Sequence, residues 1–204
     1  MRRGVPAVVA IAAVLLTGAA LAQGRDENEA RCKGVDPNLI IGGCTALIQS
    51  NREATENLAV VFTNRGGAYV LKGQYDRAIQ DYDQAIRLQP AIAILWNIRC
   101  WTRVVAGELT QALADCNESL RLGPGDPATL NSRGFTYLKM KKFDLAVADF
   151  DAALKRDPKQ SGPLYGRGLA KRMNGDAAGG NADIAAAKRL DPDVSRAFER
   201  YGIR

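Results

Sequence analysis

From Ala59 to Val194 the apolar and polar positions follow one pattern written four times, and Pro90, Pro124, Pro158 and Pro192 mark it at intervals of 34 residues. The first copy reads Phe62-x2-Arg65-Gly66-x2-Tyr69, then Ala78-x3-Tyr82, then Pro90. The second reads Trp96-x2-Arg99-Cys100-x2-Arg103, Ala112-x3-Cys116 and Pro124; the third Leu130-x2-Arg133-Gly134-x2-Tyr137, Ala146-x3-Phe150 and Pro158. The fourth is Leu164-x2-Arg167-Gly168-x2-Lys171, Gly180-x3-Ile184 and Pro192. Helical spacing within each copy predicts two amphipathic helices of about a dozen residues or more with a turn between them. Gly73, Gly107 and Gly175 punctuate that turn in three copies, and Lys141 takes the place in the third. Each proline ends the second helix, because it cannot continue the hydrogen-bond ladder. Ahead of the repeats, residues 23–35 are charged and poorly patterned apart from Cys32, whereas Asp36-Pro37 reads as a cap and first turn. Leu39, Ile40, Leu47 and Ile48 continue that helix, and Cys44 stands one period before Ala78. After Pro192 the pattern begins a fifth time with Phe198 and Gly202, and the chain ends at Arg204.

A fixed period of this size is the signature of stacked helical units. The repeated motif resembles the tetratricopeptide repeat, over about two-thirds of the chain. The resemblance implies an all-α fold, a superhelical solenoid of antiparallel helix pairs. Its expected parts are an N-terminal capping segment over 23–58, four full repeats over 59–92, 93–126, 127–160 and 161–194, and a C-terminal capping helix over 195–204. Residues 23–58 then hold an incomplete leading unit. Arg196, Glu199 and Arg200 on the terminal helix would face water, since each unit buries its face only against a neighbour. The small residues of the motif let helix backbones approach, while Tyr82, Phe150 and Ile184 fill the space between them.

The same resemblance implies a concave groove lined by inward positions of the first helices. On this chain those positions include Asn64, Asn97, Trp101, Asn131, Phe135, Tyr165 and Arg172. Asparagines can hydrogen-bond a peptide backbone, and aromatic side chains offer apolar anchors. Trp101 is expected to bind a partner, with covering the space beside Cys100 as the plainer alternative; Trp96 holds the family's packing position. The lysine-and-asparagine clamp for a C-terminal carboxylate is absent from these positions, so carboxylate capture is not expected.

The copies depart from the family in two ways. Arg65, Arg99, Arg133 and Arg167 stand where leucine is usual, and Asp81, Asp115, Asp149 and Asp183 recur with them. A ladder of ion pairs is expected, either within each repeat or from an aspartate to the next repeat's arginine, with an anion-binding strip as the functional alternative. The second departure is Cys100 at the glycine position and Cys116 at the large-residue position of one repeat, places that the family fold sets face to face. The resemblance therefore implies Cys100 with Cys116, and Cys32 with Cys44, against buried free thiols as the alternative. Neither pair has the C-x-x-C spacing of a redox catalyst.

Composition narrows the function further. The chain is 47% hydrophobic and 25% charged, as a folded protein is, and contains no histidine. Without imidazole the commonest general base and the Ser-His and Cys-His nucleophile pairs are missing, so neither a catalytic site nor a metal site or cofactor is expected. Residues 1–22 read as an export signal: Arg2 and Arg3, the apolar run Val5 to Leu16, and the small-x-small site Ala20-Leu21-Ala22. An uncleaved anchor is the alternative, although the apolar run is shorter than the ~20 residues a spanning helix needs. Cleavage after Ala22 would start the mature protein at Gln23, in the periplasm or outside the cell, with no stable membrane insertion. It would leave 26 basic against 22 acidic side chains, too mild an excess for nucleic acid. The expected function is an exported scaffold that binds a peptide or helix of a protein partner. A non-catalytic envelope subunit, a self-assembling structural protein and, last, an enzyme are the alternatives.

Overall fold

The structure is a computed structural model that describes residues 23–200, 202 and 203. The expected export signal lies outside the described residues. Among those residues there are eleven α-helices and no strand. Helix α1 spans 23–32 and α2 Pro37–Ser50. Four pairs follow: α3 (Thr55–Leu71) with α4 (Tyr75–Leu88), α5 (Ala93–Ala106) with α6 (Leu109–Leu122), α7 (Pro127–Lys139) with α8 (Phe143–Arg156), and α9 (Ser161–Met173) with α10 (Ala177–Leu190). The last helix is α11, Val194–Glu199.

Local chemistry sets these boundaries. Asp36 caps α2 by accepting from the Asn38 amide, with Pro37 in the first turn, and Asp126 with Pro127 does the same for α7. The turn inside each repeat needs a left-handed residue. Gly73, Gly107 and Gly175 supply it at φ of 68°, 88° and 96°, and Lys141 is held there at 60°. The segment 23–35, which shows little apolar pattern, contains α1. Its signal is charge at helical spacing rather than apolar periodicity: Arg25–Glu29, Glu27–Arg31 and Glu29–Lys33 are ion pairs four residues apart. The Cys32–Cys44 disulfide fastens it to α2.

The interior of each pair is built at one register. A β-carbon on Gly66 would lie 2.7 Å from the Tyr82 ring, and one on Gly134 would lie 2.7 Å from the Phe150 ring. Repeat two places the Cys100–Cys116 disulfide at that register, with α-carbons 5.4 Å apart. Both cysteines are fully buried.

The arginines and aspartates form the ladder, and its main rungs lie within repeats. Arg65, Arg99, Arg133 and Arg167 each donate through Nε and Nη2 to both oxygens of Asp81, Asp115, Asp149 and Asp183 respectively, at 2.6–2.8 Å. The remaining Nη1 reaches the preceding unit, at Thr45, Asp83, Asn117 and Asp151. Bidentate geometry is the strong form of this interaction. Each guanidinium is thus committed to two carboxylate oxygens and one further acceptor, which leaves little donor capacity for an anion. The faces of Arg65, Arg99 and Arg133 also lie over aromatic rings, with Arg65 5.6 Å from Phe62, Arg99 5.0 Å from Trp96 and Arg133 5.8 Å from Tyr137.

Candidate partner-binding groove

The first helices of repeats two, three and four touch in turn, α5 on α7 and α7 on α9, whereas the second helices make no comparable contact with one another among the described residues. The stack therefore curves with the first helices on its inner side. At one register of that inner face the four copies carry Gly67, Trp101, Phe135 and Leu169.

A cleft of ≈ 510 Å³ opens on this face, lined by Gly67, Val70, Tyr82, Asn97, Ile98, Trp101, Thr102, Ala128, Asn131, Ser132, Gln160, Ala197 and Phe198. Asn97, Trp101 and Asn131 come together here. The side-chain oxygens of Asn97 and Asn131 are buried, and neither accepts a hydrogen bond from a described residue. An unsatisfied buried acceptor costs about 1–3 kcal/mol. Trp101 meets the buried Phe135 edge to face, with ring centroids 5.8 Å apart. Burial pushes the Tyr82 phenol up to about 12, with a Thr102 hydrogen bond working the other way, so Tyr82 presents a neutral hydroxyl.

The other expected groove residues are placed differently. Asn64 lines a separate hollow at the N-terminal end, with Cys32, Lys33, Leu47 and Val61. Phe135 and Tyr165 face the concave side but are covered, at 0% and 7% exposure. The cover is Phe198 of α11, stacked on Phe135 at 4.5 Å and on Tyr165 at 5.4 Å. Arg172 is exposed and does not line the cleft. Trp96 is half-buried, donates Nε1–H to the Pro90 carbonyl at 2.8 Å, and supports the ladder rather than the groove.

Sequence reasoning did not assign Tyr82, Thr102 and Gln160 to the cleft, nor Phe198. The motif places Tyr82 in the core, which it also serves. Phe198 stands at the register of a fifth first helix, where it would pack at the end of the stack. The outer helix α10 offers mostly small side chains, such as Ala177, Ala178 and Gly179, while the inner face offers two rings. Aromatic contact decides the matter. Arg196, Glu199 and Arg200 remain exposed.

The family model described as tetratricopeptide repeat matches residues 59–91 and 127–160. No curated protein matches the chain in sequence. Among solved structures, MamA 41-end from Desulfovibrio magneticus RS-1 is similar at a TM-score of 0.71 and 14% identity, over 84% of this chain and 95% of that one. The Arabidopsis OM64 TPR domain is similar at 0.56 and 22% identity, over 60% and 98%. The first TPR of Spaghetti (RPAP3), bound to the HSP90 peptide SRMEEVD, is similar at 0.57 and 21%, over 59% and 95%. At these identities the likeness is one of fold.

Proposed function

We propose that the chain, two of whose repeats match the tetratricopeptide repeat model, is an exported, non-catalytic scaffold holding an extended peptide or a helix of a protein partner in its concave groove. The observation that carries this reading is the pair of buried, unsatisfied oxygens of Asn97 and Asn131 beside Trp101 in one cleft. Spaced along adjacent first helices, they suit the amides of a partner backbone, and Trp101 supplies the apolar contact that gives such binding its strength. The peptide bound by the RPAP3 domain supports a peptide as the class of ligand. Export is supported by the joining of all four cysteines in two disulfides, which persist in the periplasm or outside the cell. No described helix is long and apolar enough to cross a membrane.

A second reading, self-association, draws on Val35, Leu39 and Leu71, apolar side chains left 94%, 53% and 72% exposed. Light scattering of purified protein decides it, a monomeric mass removing the reading. For the groove, cross-linking capture from the envelope fraction is run with wild type and with Asn97→Ala/Asn131→Ala. The double variant should fold with an unchanged circular dichroism spectrum and lose the captured partner. Retention of the partner at wild-type yield would refute the groove assignment.

A further inference from the structure

One wall of the cleft is made by the chain's own end. Phe198 lies with its ring on Phe135 and Tyr165, Ala197 lines the cleft beside it, and Ile203 is buried in the same apolar cluster. The polar side chains of the segment, Arg196, Glu199 and Arg200, are exposed. Phe198 therefore sits where the resemblance places two of the groove's aromatic anchors, with its ring as the ligand. The segment is weakly built in itself. Helix α11 runs only from Val194 to Glu199, too short to hold its shape in water without its anchors. It packs on α9 and α10 and is reached through Asp191, Pro192 and Asp193. Local opening of such an element requires far less free energy than global unfolding.

We infer that α11 is an exchangeable occupant of the groove, closing its C-terminal half in the free chain until a partner segment with an aromatic side chain displaces Phe198 from Phe135 and Tyr165. The resident segment states the chemistry of that partner: an aromatic anchor, then an aliphatic side chain five residues on, as Phe198 is followed by Ile203. This rests on the groove reading above and adds to it the kind of ligand and its regulation. Two halves of the ligand site are then distinct, an open one at Asn97 and Trp101 and a gated one at Phe135 and Tyr165.

The test uses the full chain with its disulfides intact and, as probe, a fluorescein-labelled synthetic peptide of residues 191–204, followed by fluorescence anisotropy. A tethered segment acts at an effective concentration of millimolar order, so removing its anchor should tighten probe binding by ~10-fold or more. Phe198→Ala should therefore bind the probe at least ~10-fold more tightly than wild type does, and a probe carrying the same change should bind neither. Pro192→Gly, which loosens the tether but keeps the ring, should tighten binding to a smaller extent. It also decides the matter if Phe198→Ala does not fold. Equal affinity of the wild type and the folded variants, or no binding to any of them, overturns the exchange. If capture still depends on Asn97 and Asn131 in that event, the groove stands and the gate alone falls.

Discussion

At the shared inner register, Gly67 and Trp101 of repeats one and two are half-buried, while Phe135 and Leu169 of repeats three and four are buried at 0% and 7% exposure. The lip of the groove carries large exposed apolar side chains in the first half, Val60 at 52% and Ile94 at 64%, where the second half has Ala128 and Gly162. The two halves also hold themselves together by different means. Both disulfides lie in the N-terminal half, one joining α1 to α2 and one inside repeat two. The C-terminal half instead has a run of ring contacts through Phe150, Phe135, Phe198 and Tyr165. A solenoid has no central core, so each half must find stability locally. The disulfide-bearing half leaves part of its inner surface uncovered, and α11 covers that of repeats three and four.

The ladder runs through both halves and gives the largest expected effect. Asp115 accepts from Arg99 and Arg103 with its side chain 3% exposed, so Asp115→Ala removes the main partner of two largely covered cations, leaving Arg99 with Asp83 and Arg103 with Glu108, and should cost about 3–5 kcal/mol by urea denaturation. Asp183→Ala leaves Arg167 with Asp151 alone and takes the carboxylate from Lys171 at a more exposed rung, and should cost less. Equal losses at both rungs would break the contrast in burial.

Replacing Cys100 and Cys116 together by serine should cost about 3 kcal/mol, as expected for opening a loop of this size. Introducing Cys100→Gly with Cys116→Phe, the pair used by repeat three, should recover part of that loss. Thermal denaturation of the three proteins checks whether the two devices are interchangeable.

The smallest effect is a pH dependence at Asp183, in the C-terminal half. Burial works to raise the Asp183 carboxyl, but hydrogen bonds from Arg167 and Lys171 outweigh it and hold the group below its ordinary value. A depressed folded value means that this stabilisation is fully present above the unfolded value of about 3.9. It disappears as pH falls through the folded value. Asp183→Asn should flatten that acid limb of the stability curve by under about 1 kcal/mol. An unchanged slope below pH ~4 would show that the rung does not titrate there.

How much of this was legible beforehand depends on which force set each feature. The helix pairs and their turns follow from the 34-residue period, because stacked units repeat their neighbours' environments, and the pairing of Cys100 with Cys116 is what the resemblance to the tetratricopeptide repeat implies. The period also places arginine and aspartate in register, but only the folded chain selects the rungs within a repeat. Helix α1 escapes an apolar reading because charged pairs and a disulfide hold it in place of a wide apolar stripe. In the groove, Asn97, Trp101 and Asn131 share a cleft because first helices of adjacent repeats touch. Asn64 is drawn into a different hollow by α1, and Arg172 stays in solvent. The position of Phe198 depends on competition between two distant surfaces, which no local pattern records.

The most direct test of the groove places a photo-reactive amino acid at one of two exposed apolar positions in the full chain. Ile94 is on the inner helix α5 at the lip of the open half, and Leu145 is on the outer helix α8, 64% and 48% exposed respectively. Irradiation with the captured partner should give a covalent adduct from position 94 and none from position 145. An adduct from position 145 alone would place the partner on the outer face and contradict the account.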